Sequence, residues 1–245
     1  DCDGMDLDAV VSSGGEADGF SCGIGDFGTI HCWGADGSGQ SSSAPAGVYA
    51  QVSSGHSHAC AMDSVGEITC WGDDLWGALE YPSGAFVQLA SSDDYSCALD
   101  AAGEITCWGY DTGGQVSGTP SGEYVQIGIG VGFGCALGAD RGLSCWGDAG
   151  DEDQNDPPAG EYVHFSIGDS HGCALGTDGE LSCWGSDASG AVGSQPAGGF
   201  IQVSSGAGHS CALDAAGAVA CWGSDGSGEV SDVPTGPFVQ VSSGD

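Results

Sequence analysis

Apolar residues run through this chain in short alternating bursts, separated by stretches of Gly, Ser and Asp. The bursts recur in a fixed order: "FVQLASS" from Phe86, "SCALD" from Ser96 and "EITCWG" from Glu104, then "YVHFSIG" from Tyr162, "GCALG" from Gly172 and "ELSCWG" from Glu180. Alternation of period two over such lengths predicts β-strands, and no stretch shows apolar residues at helical spacing. Each unit predicts an apolar first strand, a second and third strand joined by a tight turn, and a Gly/Asp/Ser loop ending in Pro-x-Gly. The fold class is all-β.

Twelve of the thirteen cysteines fall into pairs ten residues apart: Cys22 and Cys32, Cys60 and Cys70, Cys97 and Cys107, Cys135 and Cys145, Cys173 and Cys183, Cys211 and Cys221. The first members are spaced by 38 residues, with one step of 37, so the chain is a repeat protein. In "CALDAAGEITC" the Asp-x-x-Gly turn, with Gly103 free to take positive φ, sets Cys97 opposite Cys107. Facing strand residues have α-carbons about 4.5 to 5.5 Å apart, within reach of a disulfide. One bridge per hairpin is predicted, each contributing roughly 2.5 to 3 kcal/mol on the chain-entropy model. Cys2 is left over.

The same register sets the residue before the first cysteine against the Trp after the second. Those residues, Ser21, Ala59, Ser96, Gly134, Gly172 and Ser210, are all small, which leaves room for Trp33, Trp71, Trp108, Trp146, Trp184 and Trp222 to pack between neighbouring units. The other face carries the disulfide with Met62, Leu99, Leu137, Leu175 and Leu213. A small sheet apolar on both faces and repeated in this way fits the blades of a β-propeller. The phrases "GHSCALDAAG", "CWGADGSGQ" and "CWGYDTGGQ" resemble the regulator-of-chromosome-condensation repeat family, in its secreted, disulfide-rich bacterial form. The resemblance spans almost the whole chain and implies a propeller, here with six full blades plus a seventh first strand, six- or seven-bladed. The family's His is His58, His171 and His209 here, but Phe20, Tyr95 and Phe133 stand in the other repeats. Nuclear exchange chemistry is not carried over.

The first-strand phrase occurs a seventh time, at Phe238, without a hairpin after it. The sequence therefore divides into an Asp-rich segment 1–8, a six-repeat propeller 9–237 and an extra strand 238–245. That strand, with Phe238, Val239, Gln240 and Val241, is either part of a seventh blade, an edge added to six, a strand donated to another copy, or the mark of a chain cut from a longer one. An unpaired apolar strand is a template for β-addition, and a head-to-tail contact of this kind propagates.

Charge narrows the partners. Thirty-five acidic residues face one basic residue, Arg141, for a net charge of -34. Neither a nucleic-acid site nor a basic patch for anionic membranes can be assembled, and no run is long enough to span a bilayer. The cysteine framework points to an oxidising compartment, secreted or at the cell surface, and the chain reads as mature protein from Asp1. Asp1, Asp3, Asp6 and Asp8 form a candidate calcium set, though without the bidentate Glu of a complete loop. No cofactor is required. "GDSHG" at Gly168 matches a nucleophile elbow but aligns with repeat punctuation, and the His-x-Cys pairs have hairpin partners rather than zinc. The Asp after each Trp-Gly predicts a turn, and Arg141, at a glycine's place, predicts a carboxylate partner. The only Asn, Asn155, is followed by Asp156 and Pro157, so N-glycosylation is excluded while Ser/Thr-linked sugars stay open. These features describe a non-enzymatic extracellular scaffold that assembles into an oligomer or filament through its terminal strands; the alternative is a monomer that binds a protein or glycan through its loops.

Overall fold

The computed structural model describes residues 11–14, 19–148 and 153–244. It contains six three-stranded antiparallel sheets, each with its strands in sequence order. Blade 1 comprises β1 (Val11–Gly14), β2 (Phe20–Ile24) and β3 (Ile30–Gly34); blade 2, β4 (Tyr49–Ser54), β5 (His58–Asp63) and β6 (Ile68–Gly72); blade 3, β7 (Phe86–Ser92), β8 (Tyr95–Asp100) and β9 (Ile105–Gly109). These belong to one compact unit, Asp1–Thr112. A second unit, Gly113–Asp245, holds blade 4, with β10 (Tyr124–Ile129), β11 (Phe133–Gly138) and β12 (Leu143–Gly147); blade 5, with β13 (Tyr162–Ile167), β14 (His171–Gly176) and β15 (Leu181–Gly185); and blade 6, with β16 (Phe200–Ser205), β17 (His209–Asp214) and β18 (Val219–Gly223).

The hairpin register is the one that the cysteine spacing predicts. Each cysteine faces its partner and each small residue faces its Trp, as in Cys97 with Cys107 and Ser96 with Trp108. All six bridges are present, with α-carbons 4.0 to 4.1 Å apart, somewhat nearer than ordinary facing residues. The turn is tied by its aspartate. Asp100 Oδ1 accepts the N–H groups of Ala102 and Glu104 at 2.8 and 2.9 Å, and Gly103 takes φ 84°. In blade 4 Arg141 occupies that left-handed position, at φ 70°, where only glycine is free of strain. Its guanidinium lies 4.0 Å from Glu161, with both side chains more than half exposed, a geometry that contributes little to stability.

The disulfide face of one blade packs on the Trp face of the next. Cys60, Met62, Ile68 and Cys70 of blade 2 meet Phe86, Leu89, Ala98 and Trp108 of blade 3. Blade 5 meets blade 6 in the same way, Leu175, Leu181 and Cys183 against Val203, Ala212 and Trp222. A Cβ at Gly172 would lie 2.5 Å from the Trp184 ring, so a side chain there would force the indole to shift. Five indoles are only 4 to 5% exposed, and each donates its N–H to the carbonyl of the loop before it: Trp71 to Gln40, Trp108 to Ala78, Trp146 to Gln115, Trp184 to Gln154 and Trp222 to Ala191, at 2.8 to 3.0 Å. Trp33 departs from the expected packing. It is 52% exposed, because no described loop lies over it as residue Gln40 lies over Trp71.

Candidate protein-interaction site

Within each unit, adjoining blades are joined by a repeated set of polar bonds laid over the apolar contact. The first-strand Gln reaches to the first strand of the next blade: Gln51 Nε2 donates to the Leu89 carbonyl at 2.7 Å, and its Oε1 accepts the Leu89 N–H at 3.0 Å. Gln126 brackets Phe165 likewise, at 2.8 and 3.4 Å. Two residues on, a serine hydroxyl accepts a backbone N–H, Ser53 from Ser91 at 2.8 Å and Ser166 from Ser205 at 2.9 Å. The hairpin turn adds a carbonyl, Gly66 to the N–H of Phe86 and Gly179 to that of Phe200. These bonds fix which residue of the next blade sits where.

Residues 238–244 make the same set on blade 6. Phe238 N–H donates to Gly217 at 2.8 Å, Gln202 brackets Val241 at 3.1 and 3.0 Å, and Ser243 N–H donates to Ser204 Oγ at 2.9 Å. The segment thus holds the first-strand position of a following blade. Phe238, Val239, Gln240 and Val241 nevertheless form no β-strand, since among the described residues no second strand ladders with them. The consequence is exposure. Val52, Leu89, Phe165 and Val203 are buried to 1 to 3% at the position that Val241 leaves partly open, and Val239 is 92% exposed. A cleft of about 290 Å³ lies beside the segment, lined by Cys211, Val219, Cys221, Pro234, Phe238 and Val241. In the seam of blades 2 and 3 the residues facing the disulfide are Ala98 and Trp108.

The histidines that open the second strands belong to the seams as well. His58 Nε2 lies 2.8 Å from Ser96 Oγ, and His171 Nε2 lies 2.8 Å from Ser210 Oγ; each serine then donates to another, Ser91 or Ser205. Burial pushes both imidazoles down to about 4, against a smaller upward pull on His58 from the Asp93 backbone and the Asp73 charge. A neutral histidine beside a serine hydroxyl has the chemistry of a base and a nucleophile. Here both serines are at 0% exposure and both histidines at 1%, so the pairs act as struts between blades. Where the strut is Phe20, the next blade offers Ala59 in the same apolar cluster. His209 of blade 6 makes no side-chain hydrogen bond among the described residues.

Ser170 of the "GDSHG" stretch lies between β13 and β14, a strand-to-strand connection, and its carbonyl accepts the Ser186 N–H. The aspartates after Trp-Gly organise wide loops. Asp36 accepts the N–H groups of Ser41 and Ser42, Asp187 those of Val192 and Gly193, and Asp225 those of Val230 and Ser231, which hold all three carboxyls below the usual range. Asp1, Asp3, Asp6, Asp8 and Cys2 lie outside the described residues. Among the described residues, no three His, Cys, Asp or Glu side chains gather as a metal set, and no helix is long and apolar enough to cross a membrane.

Two segments, 162–191 and 200–229, match the regulator of chromosome condensation (RCC1) repeat. No curated protein matches the chain. Among solved structures it is similar to the ectodomain of the receptor kinase CR4 from Physcomitrella patens, at 23% identity and TM-score 0.76 over 96% of this chain and 68% of that one. It is also similar to the CRINKLY WD40 ectodomain of the Arabidopsis thaliana receptor kinase ACR4, at 19% identity and TM-score 0.74 over 96% and 89%. A third is Prp20p from Saccharomyces cerevisiae, at 18% identity and TM-score 0.72 over 87% and 71%. Likeness at these identities concerns the fold. Six disulfide-pinned three-stranded blades, the repeat match and these neighbours together make the chain an RCC1-like β-propeller.

Proposed function

We propose that this chain is a non-enzymatic extracellular scaffold whose copies join blade to blade through their terminal strands. The observation that carries this reading is the docking of residues 238–244 on blade 6, in register and with an open side. Blade 1 has the matching parts. Trp33 is half exposed, and Ser21 stands at the position of Ser96 and Ser210, the serines that hold His58 and His171. Residues 241–244 repeat the Val-Ser-Ser-Gly phrase of β1, so they can take the place of β1 on the β2–β3 hairpin of a second copy. That exchange gives Trp33 the Cys211–Cys221 face to cover and gives His209 a serine. Such a contact is heterologous and extends head to tail.

The extracellular setting rests on the disulfide framework and on the likeness to receptor ectodomains. Protein contact as the mode of action is supported by Prp20p, whose binding to Gsp1p and histones is described with its structure. Light scattering after size exclusion tests the reading. The expected result is a mass above 24.1 kDa that rises with concentration and falls to that of a single chain on deletion of residues 238–245 or in Trp33→Ala. A single 24.1 kDa species at every concentration overturns it.

A further inference from the structure

The loop after β6 differs from its counterparts. Each of the five described wide loops carries a left-handed glycine, Gly39, Gly77, Gly114, Gly190 or Gly228. The residue before it is Ser38, Gly113, Ser189 or Ser227 in four of them and Trp76 in the fifth. Trp76 itself takes φ 65°, is 58% exposed, and sits beside Leu75 at 54%. Its ring meets that of Tyr110 edge-on, with centroids 5.4 Å apart and planes at 66°. Neither ring belongs to a described core cluster. The two rings form an aromatic corner, with Trp76 exposed and Tyr110 half-buried.

Carboxylates surround this corner. Asp73 holds the Leu75 N–H at 3.0 Å and the Ser38 hydroxyl at 3.3 Å, and Asp74 holds the Leu79 N–H, so both acids flank Trp76. Tyr110 is anchored by its N–H to the Asp94 carbonyl at 3.0 Å. Asp94 lies in the fields of Asp93 and Asp73: burial raises its carboxyl first, the two neighbouring charges raise it further, and only His56 opposes them. The chain's single Lys or Arg is Arg141, which lies outside Asp1–Thr112, so no strong base of this unit offsets the three acids.

We propose that the Trp76–Tyr110 corner, with Asp73, Asp93 and Asp94, is a docking site for a basic peptide, whose arginine or lysine head stands on the aromatic faces while the carboxylates accept its N–H groups. Charge complementarity selects this occupant. A cation over an indole face gains from the ring quadrupole, and it relieves the mutual repulsion of the acids beside it. A neutral sugar would use the rings alone. This site is independent of the assembly contact, which involves other residues.

The test is isothermal titration of the intact chain with a hexa-arginine peptide at about 0.15 M salt, where the Debye length is roughly 8 Å and diffuse attraction to the net charge is damped. Trp76→Ala is expected to weaken binding about five- to tenfold, and Asp94→Asn to weaken it severalfold. Tyr110→Ala gives a second removal of the corner without touching the strained loop. Asp214→Asn, in the hairpin turn of blade 6, is the control and should change nothing. Peptide affinity that survives both Trp76→Ala and Tyr110→Ala would reduce the interaction to bulk charge and overturn the proposal. It is equally overturned if a neutral oligosaccharide titrates the corner and the peptide does not.

Discussion

Trp33 and Trp108 follow the second cysteine of equivalent hairpins and face equivalent serines, Ser21 and Ser96, yet one is 52% exposed and the other 5%. The hairpin fixes where the indole points. Burial comes from the neighbour, here blade 2 and the Ala78 carbonyl, which Trp33 lacks among the described residues. The widest expected separation between the two follows directly. Trp108→Ala should cost about 3 to 5 kcal/mol, the range for truncating a large buried aromatic, whereas Trp33→Ala should cost under about 1 kcal/mol in dilute protein. Urea midpoints of the two variants, with disulfides intact, decide it. Equal losses would mean that Trp33 is covered even in the dilute chain.

The second separation concerns the struts. His58 is folded neutral, its pKa lowered from 6.5 to about 4, and His171 is lowered similarly. The unfolded chain therefore takes up protons first. The stability from each buried neutral imidazole is complete above pH 6.5 and is lost as pH falls toward 4. Between pH 7 and about pH 5 the loss should be about 2 kcal/mol per histidine. The carboxyls held low by backbone N–H groups, Asp36, Asp187 and Asp225, lose their contribution only at pH values below their usual 3.8, beneath this window. Replacing the pair by His58→Phe with Ser96→Ala copies the Phe20–Ala59 seam and should remove the His58 share of the slope, about 2 kcal/mol, leaving that of His171 and of the buried His164. A double variant as acid-sensitive as the native chain would show that other groups carry the dependence.

Local features of the fold were legible, and relations between blades were legible only in part. The Asp-x-x-Gly turn and the ten-residue cysteine spacing are contained within one hairpin, so strand register and bridge pairing could be worked out from a single repeat. The small residues opposite each Trp could be read for the same reason. The indole-to-carbonyl bonds could not, because a backbone acceptor carries no sequence signature. The pairing of His58 with Ser96, His171 with Ser210 and Phe20 with Ala59 does leave a signal, a correlation between one repeat and the next, but it appears only when repeats are compared across the seam. Residues 238–241 read as a strand by pattern. They occupy its position without its ladder, since a strand is made by its partner and not by alternation alone. Trp76 stands where the other described wide loops carry Ser or Gly, but its left-handed backbone and its edge-on contact with Tyr110 depend on loops that only the fold brings together.

The smallest expected effect lies at the seam of blades 5 and 6. Where Gln51, Gln126 and Gln202 bracket a backbone N–H and carbonyl of the following first strand, blade 5 has His164. An imidazole offers one donor and one acceptor on a rigid ring, and it cannot place both against a single residue as an amide does. His164 Nδ1 is accordingly buried without a partner, and burial pushes the imidazole below its ordinary pKa. His164→Gln should restore the bracket that Gln126 makes one blade earlier, removing an unsatisfied nitrogen and adding a bond. The gain expected is about 1 kcal/mol, the net value of one intramolecular hydrogen bond. It should appear as a higher urea midpoint together with slower amide exchange at Val203, the residue aligned with Leu89, Phe165 and Val241. An unchanged midpoint would mean that the apolar contact of Leu175 and Leu181 with Val203 and Trp222 already holds this seam, and that the glutamine ladder sets register rather than strength.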